Sequence, residues 1–142
     1  MKHWEEFITL GIVKTQTPNK ERALSLIEEA TKKKEFLQIS LDNIPASKMN
    51  ANFVVDYCYD IMMELIRAKM FLDGFNAGNS HEAEVSYLRQ LNFPEASVQF
   101  LNEMRYYRNG TKYYGTILQK EYAQRVLEFT NNIYPKLKEL FT

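Results

Sequence analysis

The chain is poor in the residues that commit small proteins to particular chemistries. Its single cysteine, Cys58, excludes an internal disulfide framework and any cysteine-cluster zinc site. It has two histidines, His3 and His81, far apart in sequence and with no HExxH spacing, so neither a metal nor a cofactor is expected. GxSxG, Walker A and GxGxxG patterns are all absent, which removes the commonest hydrolase and nucleotide loops. Neither sign of charge dominates: 18 basic and 18 acidic residues give a formal net charge of zero. Any attraction to nucleic acid must therefore come from a local patch. Long hydrophobic runs are missing too. No stretch approaches the roughly 18–20 apolar residues that cross a bilayer. Residues 1–15 (MKHWEEFITLGIVKT) contain Glu5 and Glu6 and no apolar run of signal-segment length. The expectation is a soluble, cytoplasmic protein without a membrane partner.

Only five glycines and four prolines interrupt 142 residues, and the apolar spacing is helical through most of them. The length suits one domain, 1–142, with residues 1–16 as an N-terminal extension. Thr17 suits an N-cap and Pro18 a first helical position, so a helix is expected to start at TPNKERALSL. Ala23, Ile27, Ala30 and Leu37 mark its inner face, and Lys32, Lys33 and Lys34 a solvated one. The loop around Pro45 ends it.

The next helix, ANFVVDYCYDIMMELIRAKMFLDG, is the most hydrophobic in the chain. Val54, Cys58, Ile61, Leu65, Ala68 and Leu72 alternate steps of four and three. Val55, Tyr59, Met62 and Ile66 form a second stripe, available to a partner or to further helices. Cys58 reads as a small buried hydrophobe. Asp56, Asp60 and Glu64 form a polar seam, with Glu64 expected in a surface ion pair beside Arg67 and Lys69.

Asn79 or Ser80 can cap a helix opening at His81, and another begins near Pro94. Along the latter, Ser97, Leu101, Met104 and Arg108 share a stripe that ends in an arginine. Asn109-Gly110 is expected to end this helix, since both residues tolerate positive φ. A last helix runs over ILQKEYAQRVLEFTNNIYPKLKELF, kinked at Pro135. No strand pattern is visible. The expected fold is an all-α, up-and-down bundle of four or five helices.

The segment RYYRNGTKYYG, Arg105–Gly115, holds three basic residues and four of the nine tyrosines. Arginine clamps phosphate, asparagine can hold a base or ribose hydroxyl, and tyrosine stacks on bases. Arg105 and Arg108 share one helix face. Arg105, Arg108, Asn109, Lys112, Tyr113, Tyr114 and His81 are the candidate ligand-binding residues. Core or interface packing of the tyrosines, with solvated cations, is the competing reading.

RNGTKYYG, together with LIRAKMFLDGFNAGNSHEAEVSYL upstream, resembles the HEPN domain (higher eukaryotes and prokaryotes nucleotide-binding). That family is a small helical bundle whose signature is an arginine, a polar residue, a short spacer and a histidine, often RNxxxHG. The resemblance covers roughly residues 19–140 and rests on Arg108-Asn109, on the Ser-His-Glu helix start and on the helix order. It implies a homodimer that binds nucleotide or RNA. In active members the implied activity is metal-independent, toxin-like RNA cleavage. Some members instead partner a small nucleotidyltransferase in two-protein prokaryotic systems. Arg108, Asn109 and Tyr113 fall on the catalytic positions, with Tyr113 where the family has histidine. A phenol of ordinary pKa near 10 is a poor base at neutral pH, so the expectation is binding with weak or no cleavage. The alternatives are a working ribonuclease using Tyr113 or His81, and a docking module with no ligand of its own.

The helical spacing predicts a far-ultraviolet circular dichroism spectrum with strong minima near 208 and 222 nm, roughly the signature of such a helix content; a strand-dominated spectrum would contradict the whole assignment.

Overall fold

The computed structural model describes all 142 residues, Met1–Thr142. Six helices follow one another: α1 (Trp4–Thr9), α2 (Lys20–Asn43), α3 (Ala51–Asp73), α4 (His81–Gln90), α5 (Glu95–Tyr113) and α6 (Lys120–Glu139). α3 is the centre. It carries thirteen buried residues against three on α2, which is one residue longer, and each full burial of a large apolar side chain stabilises by about 1.5–3 kcal/mol. Nearly all of both expected stripes is enclosed within the chain: Val54, Cys58, Ile61, Leu65 and Ala68 on one, Val55, Tyr59, Met62 and Ile66 on the other. Only Leu72, at the end of the first stripe, is partly exposed. The second stripe is therefore not left for a partner. α2 and α6 make the most extensive contacts with α3, while α4 and α5 pack on it and on each other.

The start of α2 differs from expectation. Its cap is Asn19, whose Oδ1 accepts the Arg22 amide at 3.0 Å, and the helix proper begins at Lys20. The reason is long-range. The Gln16 amide donates to the Gly74 carbonyl at 2.8 Å and the Asn19 amide to that of Phe71 at 3.0 Å. Residues 16–19 are held against the end of α3 and cannot coil. The same junction contains a small antiparallel bridge, β1 (Lys14–Thr15) with β2 (Phe75–Asn76), that the alternation of residues does not announce. Residues 1–16 also supply Trp4, Phe7 and Val13 to the core, Trp4 packing edge-on to Phe75 at 5.2 Å.

The charges on α3 and α2 are placed differently as well. Glu64 is buried and pairs with Lys33 of α2, so this lysine is not simply solvated. Arg67 instead reaches the buried Glu84 of α4, with Nε and Nη2 donating at 2.5 and 2.9 Å. α2 and α4 are thus tied to α3 by an ion pair as well as by apolar burial.

α5 does not end at Asn109-Gly110. It runs to Tyr113, and the left-handed residue is Gly115, at φ +68°. Gly110 serves close approach instead. The connection to α6 folds back on the helix, with the Thr116 amide donating to the Gly110 carbonyl at 3.1 Å, and a Cβ on Gly110 would lie 2.8 Å from Thr116 Oγ1. Asn52, at the start of α3, pins this loop from the other side. Its amide donates to the Thr116 carbonyl at 2.9 Å, and its Oδ1 accepts the Leu118 amide at 2.8 Å. α6 consequently starts at Lys120, later than its sequence pattern suggests, and continues through Pro135 to Glu139.

Gly74 caps α3 in the left-handed region at φ +85°, where an added Cβ would lie 2.7 Å from the Gln16 carbonyl oxygen. Gly74→Ala is expected to destabilise the fold by about 1–3 kcal/mol, read as a lower urea midpoint at unchanged slope.

Candidate functional site

Ser80 ends the loop after β2 and caps α4, its Oγ accepting the Ala83 amide at 3.1 Å. Asn79 is therefore not the cap. The Glu84 amide donates to the Ser80 carbonyl, which leaves the amides of His81 and Glu82 without a partner in the chain. α4 packs on α5, so this open helix start faces the second half of α5. Between them lies a cleft of about 500 Å³ lined by Asn79, Ser80, His81, Glu82, Arg105, Arg108, Asn109 and Tyr113. Five of the seven sequence candidates meet here: His81, Arg105, Arg108, Asn109 and Tyr113.

Lys112 and Tyr114 lie outside this cleft. Lys112 is directed to α3, its Nζ 3.7 Å from Asp56 Oδ2. Tyr114 lines a neighbouring cavity of about 590 Å³ with Tyr106, Tyr107, Asn109, Gly110, Tyr113 and Thr116. Asn109 and Tyr113 border both hollows, so the end of α5 is a wall with a polar cleft on one side and an aromatic one on the other.

The two arginines differ in how free they are. Arg108 Nε donates to Asp56 Oδ1 at 2.9 Å, and its Nη2 lies 3.6 Å from Asp60 Oδ1. Its guanidinium also covers the Tyr59 ring, 5.4 Å from the centroid. An arginine ending an apolar stripe is accommodated by this seam, since i, i+4 spacing on α3 sets both aspartates beneath it. Burial and the nearby Asp56 hold the Asp60 carboxyl above the usual carboxylate range. Arg105 has no carboxylate partner, and its Nε donates only to Asn102 Oδ1 at 3.0 Å. A ligand anion thus meets Arg105 as an open cation and Arg108 as one already shared.

His81 rests against Tyr59, with Nδ1 3.3 Å from the phenol oxygen. Burial pushes the Tyr59 hydroxyl well above its ordinary value, so it stays protonated. The hydroxyl can give a hydrogen bond to Nδ1 or take one from it, so either ring nitrogen can carry the neutral imidazole's proton. With the proton on Nε2 the ring presents a hydrogen-bond donor to the cleft, suited to a phosphate oxygen; with it on Nδ1, Nε2 is a proton acceptor. Tyr113 is 73% exposed and its hydroxyl makes no hydrogen bond in the chain, so no neighbouring group acts on it as a base. Burial raises the Cys58 thiol to about 11, consistent with a core position away from chemistry.

Asn79, Ser80 and Glu82 belong to the cleft and were not singled out as site residues from sequence; nor was Tyr59, the partner of His81. Asp56 and Asp60 carried a readable signal in their spacing, but which cation they face depends on how α5 lies on α3. Comparison with protein-family models, curated proteins and solved structures finds no significant match to this chain. Fold and site together define an all-α helical bundle with a polar cleft at one helix start. No helix is long and apolar enough to cross a membrane.

Burial holds the His81 imidazole below its ordinary 6.5, with Arg67 and Arg108 acting in the same direction against Glu84. The unfolded chain therefore binds this proton more readily, and the contribution of His81 to stability is lost as pH falls below about 6.5. Proton NMR should show His81 titrating below the ordinary histidine value of about 6.5. His81→Gln should flatten the stability profile between about pH 7 and 5.

Proposed function

We propose that the cleft between α4 and α5 binds a phosphate-bearing ligand, a nucleotide or an RNA strand, and holds it without cutting it. The observation that carries this reading is the convergence of His81, Arg105, Arg108 and Asn109 on one cleft beside the unpartnered amides of α4. Those amides carry the positive end of the helix dipole and are oriented for an anion. Arg105 adds donors, as does His81 when its proton is on Nε2, and Asn109 can address a base or ribose hydroxyl. The exposed rings of Tyr106, Tyr113 and Tyr114 supply stacking surface alongside. The HEPN-like pairing of Arg108 with Asn109 points the same way. On this reading the chain is a HEPN-like, cytoplasmic prokaryotic protein of the kind found in toxin–antitoxin pairs, with Lys112 adding positive charge at the edge.

Two further readings have an observation each. The presence of His81 in the same cleft as Arg108 favours a metal-independent ribonuclease in which the imidazole replaces the missing motif histidine. It requires the tautomer in which Nδ1 donates to the Tyr59 oxygen and Nε2 accepts a proton. The exposed cluster of Tyr106, Tyr113, Tyr114 and Ile117 favours an interface, either of a homodimer or with a nucleotidyltransferase partner.

Fluorescence anisotropy with labelled single-stranded RNA tests the first reading. The wild type should bind with affinity that falls as salt rises. Arg105→Ala should weaken binding by about tenfold, the order of one lost charge-assisted contact. Incubation in EDTA should leave the RNA intact. Cleavage abolished by His81→Ala would move the assignment to the ribonuclease, and retained dimerisation without any binding would move it to the docking module.

A further inference from the structure

A second basic cavity lies across the loop that precedes α4. It measures about 350 Å³ and is lined by Arg22 of α2, Arg67 and Glu84, the rings of Phe71 and Phe75, and the loop residues Asn76, Gly78 and Asn79. Arg67 uses Nε and Nη2 on the buried Glu84 and makes no hydrogen bond through Nη1. Arg22 has no carboxylate partner, and its guanidinium lies over the Phe71 ring, 4.7 Å from the centroid. The ring itself is buried beneath the guanidinium, so what the cavity offers is the exposed Arg22 guanidinium plane, which suits a phosphate or the face of an unpaired base.

The two cavities abut. Asn79 belongs to the walls of both. Glu84, at the back of one, follows His81, at the mouth of the other, by one turn of α4. A path along the start of α4 therefore meets Arg105 and Arg108, then His81, then Asn79, then Arg67 and Arg22. The path has two arginines at each end, an imidazole and one amide side chain between them, and open backbone amides at its middle; Glu82 lies at its edge, and Glu84 is closed off by Arg67. A mononucleotide would fill one cavity only. A linear polyanion of repeating phosphate and base fits both, whereas an acidic peptide has no bases to lay on the Arg22 guanidinium or on the exposed Tyr113 ring.

We propose that the two cavities are consecutive subsites for one single-stranded polynucleotide, with Arg22 holding the segment that leaves the α4–α5 cleft. The proposal rests on the nucleotide- or RNA-binding reading above and specifies its substrate class as a strand of several nucleotides. The exposed faces favour single-stranded over duplex nucleic acid, because the Arg22 guanidinium and the Tyr113 ring can stack only on unpaired bases.

The test compares uridine 5′-monophosphate with labelled uridine oligomers of increasing length, using wild type, Arg22→Ala and Arg105→Ala. Arg22 is exposed, so its removal leaves the core intact, and the thermal midpoint checks this. Wild-type affinity should rise with length until both cavities are filled and then level off. Arg22→Ala should weaken the longer oligomers by about tenfold, reduce the salt dependence by roughly 0.7 in slope, and flatten the gain in affinity with length. Arg105→Ala should weaken both ligands. If Arg22→Ala leaves oligomer binding untouched while Arg105→Ala impairs it, the second subsite is refuted and the first reading stands. If the wild type binds neither ligand but does bind an acidic peptide, both are overturned.

Discussion

A helix that is apolar over almost its whole circumference must be wrapped on every side, and α3 is such a helix. Water would otherwise meet two adjacent hydrophobic stripes, at a cost set by the area exposed. The other helices can be understood as the enclosure. α2 and α6 cover one part of its surface, and α4 and α5 the rest. The polar groups on α3 then acquire a particular role. Taken out of full contact with water, each carboxylate or guanidinium needs a partner from the helix that covers it. Glu64 finds Lys33 on α2, Arg67 finds Glu84 on α4, and Asp56 finds Arg108 on α5. These pairs orient the enclosing helices in ways that apolar burial, which has no direction, does not.

The candidate cleft is a by-product of the same constraint. Because Arg67 anchors α4 through Glu84, the start of α4 is held beside α5, with its first amides open. Because Asp56 and Asp60 hold Arg108 against the Tyr59 ring, the end of α5 is fixed where His81 can meet it. Tyr59 joins the two halves: it lies beneath the Arg108 guanidinium and shares a hydrogen bond with His81. A phenol that burial keeps protonated thus holds the imidazole by Nδ1 and leaves Nε2 to the cleft.

Helix content, the central position of α3, the buried state of Cys58 and the positions of most helices were readable along the chain. Each follows from a local pattern of apolar residues repeated over many turns. Boundaries failed where a distant contact intervened. Thr17-Pro18 has the chemistry of a helix start, yet hydrogen bonds to the end of α3 hold that segment extended and pass the capping role to Asn19. Asn109-Gly110 has the chemistry of a turn, yet its glycine lies within a helix because a loop needed room beside it. Glu64 and Arg67 are neighbours on one helix, and proximity in sequence suggested a pair. They lie at different points around α3, so each met a different helix.

By itself, the sequence determined which residues are compatible with a core, that the elements are helical, and that Arg105, Arg108 and Asn109 share one short segment. Those properties are local, set by side-chain type and a period of 3.6. Only the tertiary structure decided that His81 joins them, that Arg108 is shared with two aspartates while Arg105 is free, and that a second pair of arginines, Arg22 and Arg67, lies across the loop. These are meetings between segments far apart in the chain. They depend on how four helices close around α3, and such a packing is fixed by the sum of many contacts and not by any one stretch of residues.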